Sequence, residues 1–187
     1  MRTLKYIITL IILCLPLFAQ GINLGFRLEP IYVFAEDDGT SDDFFSPYSL
    51  KMSFIVEPVN SIGLEIRPGF LIAGEEFMGW EVGTFANYKI PKSSFSILVG
   101  INHFYKTQTG GNNRGSEGGY FPFYGIGIGF NQNENIRIDL SYFITSRKEY
   151  ASYRYYDYSS WKVLHYKKTL TGVLRIGLNI AFNIIQF

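Results

Sequence analysis

Eight stretches of this chain alternate apolar and polar residues with a period of two, and their apolar faces carry no charge. They span 22–29, 48–57, 62–72, 80–90, 95–102, 124–130, 136–145 and 174–184. Phe26, Leu50, Ile66, Val82, Val99, Ile128, Leu140 and Ile176 stand on the apolar side. Alternation of this kind marks strands with two different faces. A water-soluble barrel would turn the apolar side inward. The polar side is a poor wet surface here, because nine of its positions (25, 63, 69, 83, 100, 125, 127, 129 and 177) are glycine. Glycine weakens an exposed strand, yet it leaves room where side chains crowd inside a closed sheet. The charge-free side is therefore expected to meet hydrocarbon.

The connections point the same way. Taken from an inner N-terminus, the even-numbered ones are short, at 58–61, 91–94 and 131–135. Three odd-numbered ones are long, at 35–47, 106–119 and 146 to about 170; the other, 73–79, is short and departs from the rule. Short turns at one end and long loops at the other are the habit of outer-membrane barrels. Tyr32, Trp80, Tyr88, Tyr105 and Tyr124 fall toward segment ends, where interfacial aromatics belong. The expected fold is all-β, an eight-stranded antiparallel up-and-down transmembrane β-barrel. In strand number and loop asymmetry the chain resembles the small outer-membrane barrels typified by OmpX and the transmembrane domain of OmpA. That resemblance implies that the terminal Phe187 is read by the barrel-assembly machinery. Phe187 is odd-numbered whereas the apolar face of the last segment is even, so a bulge near Ile184 and Ile185 is needed to restore register.

The N-terminus predicts export. Arg2 and Lys5 precede an uncharged run from Tyr6 to Phe18, and Ala19 offers a cleavage site. Thirteen apolar residues are too few for a spanning helix, which needs about 20. Residues 1–19 are thus expected to be a signal peptide and 20–187 the barrel. The only cysteine, Cys14, lies in the segment to be removed. Without Arg2 and Lys5 the chain holds 15 basic and 16 acidic residues, a balance that gives no argument for nucleic acid.

The polar face carries Arg27, Lys51, Arg67, Lys89, Arg137 and Arg175 against Glu29, Glu57, Glu65, Glu81 and Asp139. Inside a narrow barrel such charges must pair. They read as a packed polar plug, because eight strands leave an interior that side chains just fill; the alternative is a narrow channel or proton path.

Three further features could carry chemistry. His103-Phe104-Tyr105 lies where lipid A deacylases carry a His-x-Ser pair, but tyrosine replaces the serine nucleophile. The acidic run from Glu36 to Asp43 could offer oxygen ligands to calcium, although its spacing is not that of an EF-hand. The last long connection holds Arg147, Lys148, Arg154, Lys162, Lys167 and Lys168, interleaved with Tyr150, Tyr153, Tyr155, Tyr156, Tyr158, Trp161 and Tyr166. It reads either as a contact loop for lipopolysaccharide, a surface glycan or a partner protein, or as two paired strands stacking their tyrosines. The expected role is a non-enzymatic surface barrel without a cofactor, surrounded by outer-membrane lipid and lipopolysaccharide. A lipid A-modifying enzyme built around His103 is the alternative.

Overall fold

The structure is a computed structural model that describes residues 21–186 except 75, 108, 112, 113, 117, 134, 158 and 160. The signal-peptide expectation and Phe187 therefore lie outside the described residues. The strands are β1 (Gly21–Leu28), β2 (Ile31–Asp37), β3 (Thr40–Ser41), β4 (Phe44–Ser46), β5 (Tyr48–Val59), β6 (Ile62–Ile72) and β7 (Met78–Lys89). They continue as β8 (Phe95–Lys106), β9 (Thr109–Gly111), β10 (Arg114–Ser116), β11 (Gly119–Asn131), β12 (Ile136–Thr145), β13 (Glu149–Asp157) and β14 (Lys162–Gln186).

The expectation of eight strands in a simple up-and-down barrel is corrected: one sheet of fourteen strands is formed. The resemblance to OmpX and OmpA, which rested on that count, falls with it. Pairing runs β1-β5-β6-β7-β8-β11-β12-β14, and β14 pairs with β1 as well. The other six strands extend this circuit at one end, the outer end here. β2 continues the line of β1 along β14 after a break at Glu29 and Pro30, where proline has no N–H to give the ladder. β3 and β4 fold back on β2. β13 pairs with β14 on one side and β10 on the other, and β9 pairs with β10. β2 and β13 escape a period-two reading because β2 is apolar or aromatic on both faces and β13 carries tyrosine on both, and β3, β4, β9 and β10, of two or three residues each, are too short to show a period.

The apolar face points outward. Phe26, Ile126 and Ile128 are about 60% exposed, at 58%, 63% and 62%. Cross-strand rows of aromatics border the belt: Phe70, Trp80, Tyr105 and Tyr120 are register neighbours at the outer end, and Phe95 meets Phe130 at the inner end. A bulge stands where the parity argument asked for one, since Ile22 pairs with Ile185 and Asn23 with Asn183, leaving Ile184 over.

Candidate functional site

The inward face brings most of the sequence-marked charges together. Arg27 grips Asp139 with both terminal nitrogens, one at 2.7 Å, and its Nε lies 2.5 Å from Glu29. Glu29 also takes Lys51 at 3.1 Å and Arg175 at 3.0 Å. Arg175 and Lys51 share Glu81, at 3.0 and 2.9 Å, and Ser49 and Asn102 donate to the same carboxylate. Glu65 accepts from Ser53, Arg67 and Arg137, and Arg137 Nε reaches Asp139 at 3.3 Å. All of these charged side chains are buried. Glu57 and Lys89 form a separate, half-exposed pair, 2.7 Å apart, on the wall of an inner-end cup of about 380 Å3. Partners come both from two residues along the chain and from strands far apart in sequence, so each buried carboxylate of the network sees more than one cation, as burial requires.

Glycines make the space. A Cβ at Gly177 would strike the Arg27 guanidinium and Asp139, and one at Gly125 would strike the Phe143 ring. Arg67 Nη1 meets no hydrogen-bond acceptor among the described residues. Its guanidinium lies over Phe85 instead, 4.0 Å from the ring centroid, and Arg175 lies over Phe143 at 5.3 Å. These cation–π contacts offset part of the missing hydrogen bonding.

Above the charges the interior changes character, which the sequence reading missed. Ile31, Val33, Leu71, Phe77, Phe104, Phe121, Phe123, Tyr150 and Val173 form an apolar cluster that fills the outer end. Phe77 comes from the short connection between β6 and β7 and meets Phe104 at 4.8 Å, Tyr150 at 5.6 Å and Phe123 at 6.5 Å. Tyr150 is the extra residue of a bulge, because Glu149 pairs with Thr169 and Ala151 with Lys168. A bulge re-aims a side chain, and Tyr150, expected in a contact loop, is buried. Over this cluster Lys168 bridges Asp42 at 3.0 Å and Glu76 at 3.1 Å. Burial lowers the Lys168 pKa, but those two carboxylates more than compensate and hold it above its usual range, while burial pushes the Tyr150 phenol up.

The last long connection is a hairpin of β13 and β14. Arg154 faces His165 and Tyr156 faces Val163 across it. Tyr153 stacks on Tyr166, centroids 5.1 Å apart, and donates its hydroxyl to Asp37 at 3.0 Å. Lys167 pairs with Glu149 at 2.9 Å. Arg147 lies over Phe121 at 4.6 Å while remaining on the surface. Lys148, Arg154, Trp161, Lys162 and His165 are exposed, Trp161 most of all at 77%. Side-chain placement of Tyr155 and Tyr158 lies outside the described residues.

The acidic first connection is not gathered into a metal site. Asp43 accepts from Ala35 N and Tyr32, Asp42 pairs with Lys168, and Asp37 accepts from Tyr153. Among the described residues no group of three or more potential metal ligands is assembled. His103 lines an outward groove of about 560 Å3 with Thr84, Val99, Ile101 and Tyr124, beside the backbone of Gly100 and Gly125. Its Nδ1 lies 2.5 Å from the Tyr120 hydroxyl. The groove offers His103 neither a serine nor a carboxylate.

No family model matches the chain, and no curated protein matches it. Among solved structures it is similar to Neisserial surface protein A, with 16% identity over 88% of this chain and 99% of that one, at a TM-score of 0.48. The outer membrane protein OprG from Pseudomonas aeruginosa shares 13% identity over 88% and 97%, at 0.46. Ail of Yersinia pestis, solved with the heparin analogue sucrose octasulfate, shares 18% over 87% and 99%, at 0.49. Likenesses of this order carry nothing about activity. The location follows from the surface itself: a paired-strand circuit with an apolar outer belt, aromatic rows at both edges and charges confined within is matched to a bilayer. The chain is a β-sheet protein whose outer surface is matched to a bilayer.

Proposed function

We propose that this protein is a sealed membrane scaffold that holds the β13–β14 hairpin away from the bilayer for contact with anionic partners. The observation that carries the reading is the filled interior, ion pairs below and aromatic rings above, which turns function from transport toward the outer end. Export by the segment 1–19 and recognition of Phe187 by the assembly machinery belong to the same proposal. The hairpin supplies exposed cations at Lys148, Arg154 and Lys162, and exposed contact area at Trp161 and Val163. Such a surface suits the phosphates of lipopolysaccharide or the acid groups of a surface glycan, with aromatic side chains adding contact at little entropic cost.

The test replaces Ser152–Lys167 by a two-residue Asn-Gly turn, keeping Tyr150 and Lys168 in place. The shortened protein is expected to fold, because the wall holds the hairpin's ends. It should lose binding to lipopolysaccharide or acidic glycans that the full protein shows at low salt and sheds at high salt. Equal binding by both proteins would overturn the contact role and leave the hairpin as an extension of the wall. Steady ion-selective currents from the unmodified protein in planar bilayers would overturn the sealed scaffold.

A further inference from the structure

The outward face of the wall is largely apolar, and it carries an imidazole that the scaffold role does not use. His103 stands on β8 two residues below Tyr105, a step of about 7 Å along a strand, and so just inside the row of Trp80, Tyr105 and Tyr120. Aromatic rows mark the membrane–water boundary. The next row inward, Thr84, Ile101 and Tyr124, contains one short side chain, and a groove opens there with His103 at its outer end. The imidazole is held in place: its ring stacks on Tyr120 with centroids 5.7 Å apart and planes 15° from parallel, and Nδ1 lies 2.5 Å from the phenol oxygen. A neutral imidazole that accepts a hydrogen bond from the phenol O–H at Nδ1 carries its own proton on Nε2. An N–H facing hydrocarbon without an acceptor is costly. At this depth the acceptors that a membrane supplies are the carbonyl oxygens heading its acyl chains.

We propose that this groove is a lipid seat, in which one acyl chain lies along Val99 and Ile101 and its head carbonyl accepts a hydrogen bond from His103 Nε2. The proposal rests on the reading of the outer face as lipid-facing. Phospholipid esters and the acyl groups of lipid A share the recognised carbonyl, so the two sources are separated by experiment.

The full chain is refolded into vesicles of ester-linked phosphatidylcholine, of its ether-linked analogue, and of the ether lipid doped with lipid A. Nitrogen NMR of the His103 ring reports the carbonyl contact, with exposed His165 as internal reference. Spin-labelled lipids report how slowly bound lipid exchanges. A slowly exchanging lipid is expected in ester vesicles, released about five- to tenfold faster in the ether lipid, the worth of one hydrogen bond. The His103 Nε2 signal should move between the two. His103→Phe should abolish the ester preference, and Val99→Trp, which fills the groove while keeping the imidazole, should abolish slow exchange. Recovery of slow exchange on adding lipid A to ether vesicles would include lipid A among the occupants; its absence would assign the seat to phospholipid. Identical exchange and identical His103 signals in ester and ether lipid would overturn the seat. If the outer face itself were misread, no motionally restricted lipid would be seen in any vesicle, whereas failure of the seat alone leaves a lipid shell that treats ester and ether alike.

Discussion

The inner and outer halves of the interior are closed by opposite chemistries within one wall. In the inner half, charges on opposed strands meet: Arg27 and Asp139 are 112 positions apart, and Arg175 and Glu29 are 146 apart. In the outer half the seal is made largely of rings, and several of them, Phe44, Phe77 and Tyr150, come from connections or their extensions. The difference separates two tasks. An ion network tolerates little change of register, because a one-residue slip turns each charge to the other face and leaves its partners buried and unpaired. An aromatic cluster is less exacting and can be supplied by segments with no fixed register. The charges thus specify which strands lie opposite one another, and the rings exclude water from the mouth above them.

The largest effect is expected from breaking the ion network. Arg27→Met leaves Asp139 and Glu29 short of a cation and should cost about 3–5 kcal/mol in denaturant unfolding from lipid vesicles. A loss below about 1 kcal/mol, the scale of an exposed pair, would mean that the inner half is wet and that the two halves differ less than their chemistry suggests. Next comes the aromatic seal, where Phe77→Ala should cost about 3 kcal/mol by emptying a packed site. That variant should pass no current, since the ion network below it is untouched. Current through Phe77→Ala would show that the rings alone close the interior.

Crowding gives a smaller effect. Gly177→Ala places a methyl group against the Arg27 guanidinium and should cost about 1–3 kcal/mol. Gly21→Ala, whose nearest neighbour is 3.7 Å away, is the control expected to change little. The smallest effect is a pH response of the outer cap. Lys168 and Tyr150 both have raised pKa values in the folded chain, so the folded state keeps protons that the unfolded state releases. Their contribution is fully present below the unfolded values, about 10–10.4, and is lost as pH rises past them. The free energy of denaturant unfolding should fall above about pH 10, and Lys168→Met should remove part of that fall. An unchanged profile would detach the Lys168 bridge from the stability of the cap.

Much of the wall was legible because lipid on one side and charge on the other force an alternation that any reader of residues can follow. The interior ions were legible as residue types on one face; nine of them meet in the buried network, whereas Glu57 and Lys89 pair apart from it. Which cation serves which carboxylate was not, because the pairs span the circuit. The strand count failed for a physical reason: β2 and β13 put apolar or aromatic residues on both faces, so no period marks them, and Pro30 divides a line that would otherwise read as one strand. Tyr150 and Phe77 were misjudged or passed over because both stand in connections, and only a bulge and a short turn aim them inward.

By itself, the sequence determined the all-β class, the outward direction of the apolar face and the confinement of charge within, since each follows from solvation of single side chains. The tertiary structure decided the fourteen-strand sheet, the partners of every buried ion and the aromatic closure of the outer end. Those depend on which residues from distant segments share a layer, and register across paired strands sets that where no local propensity can.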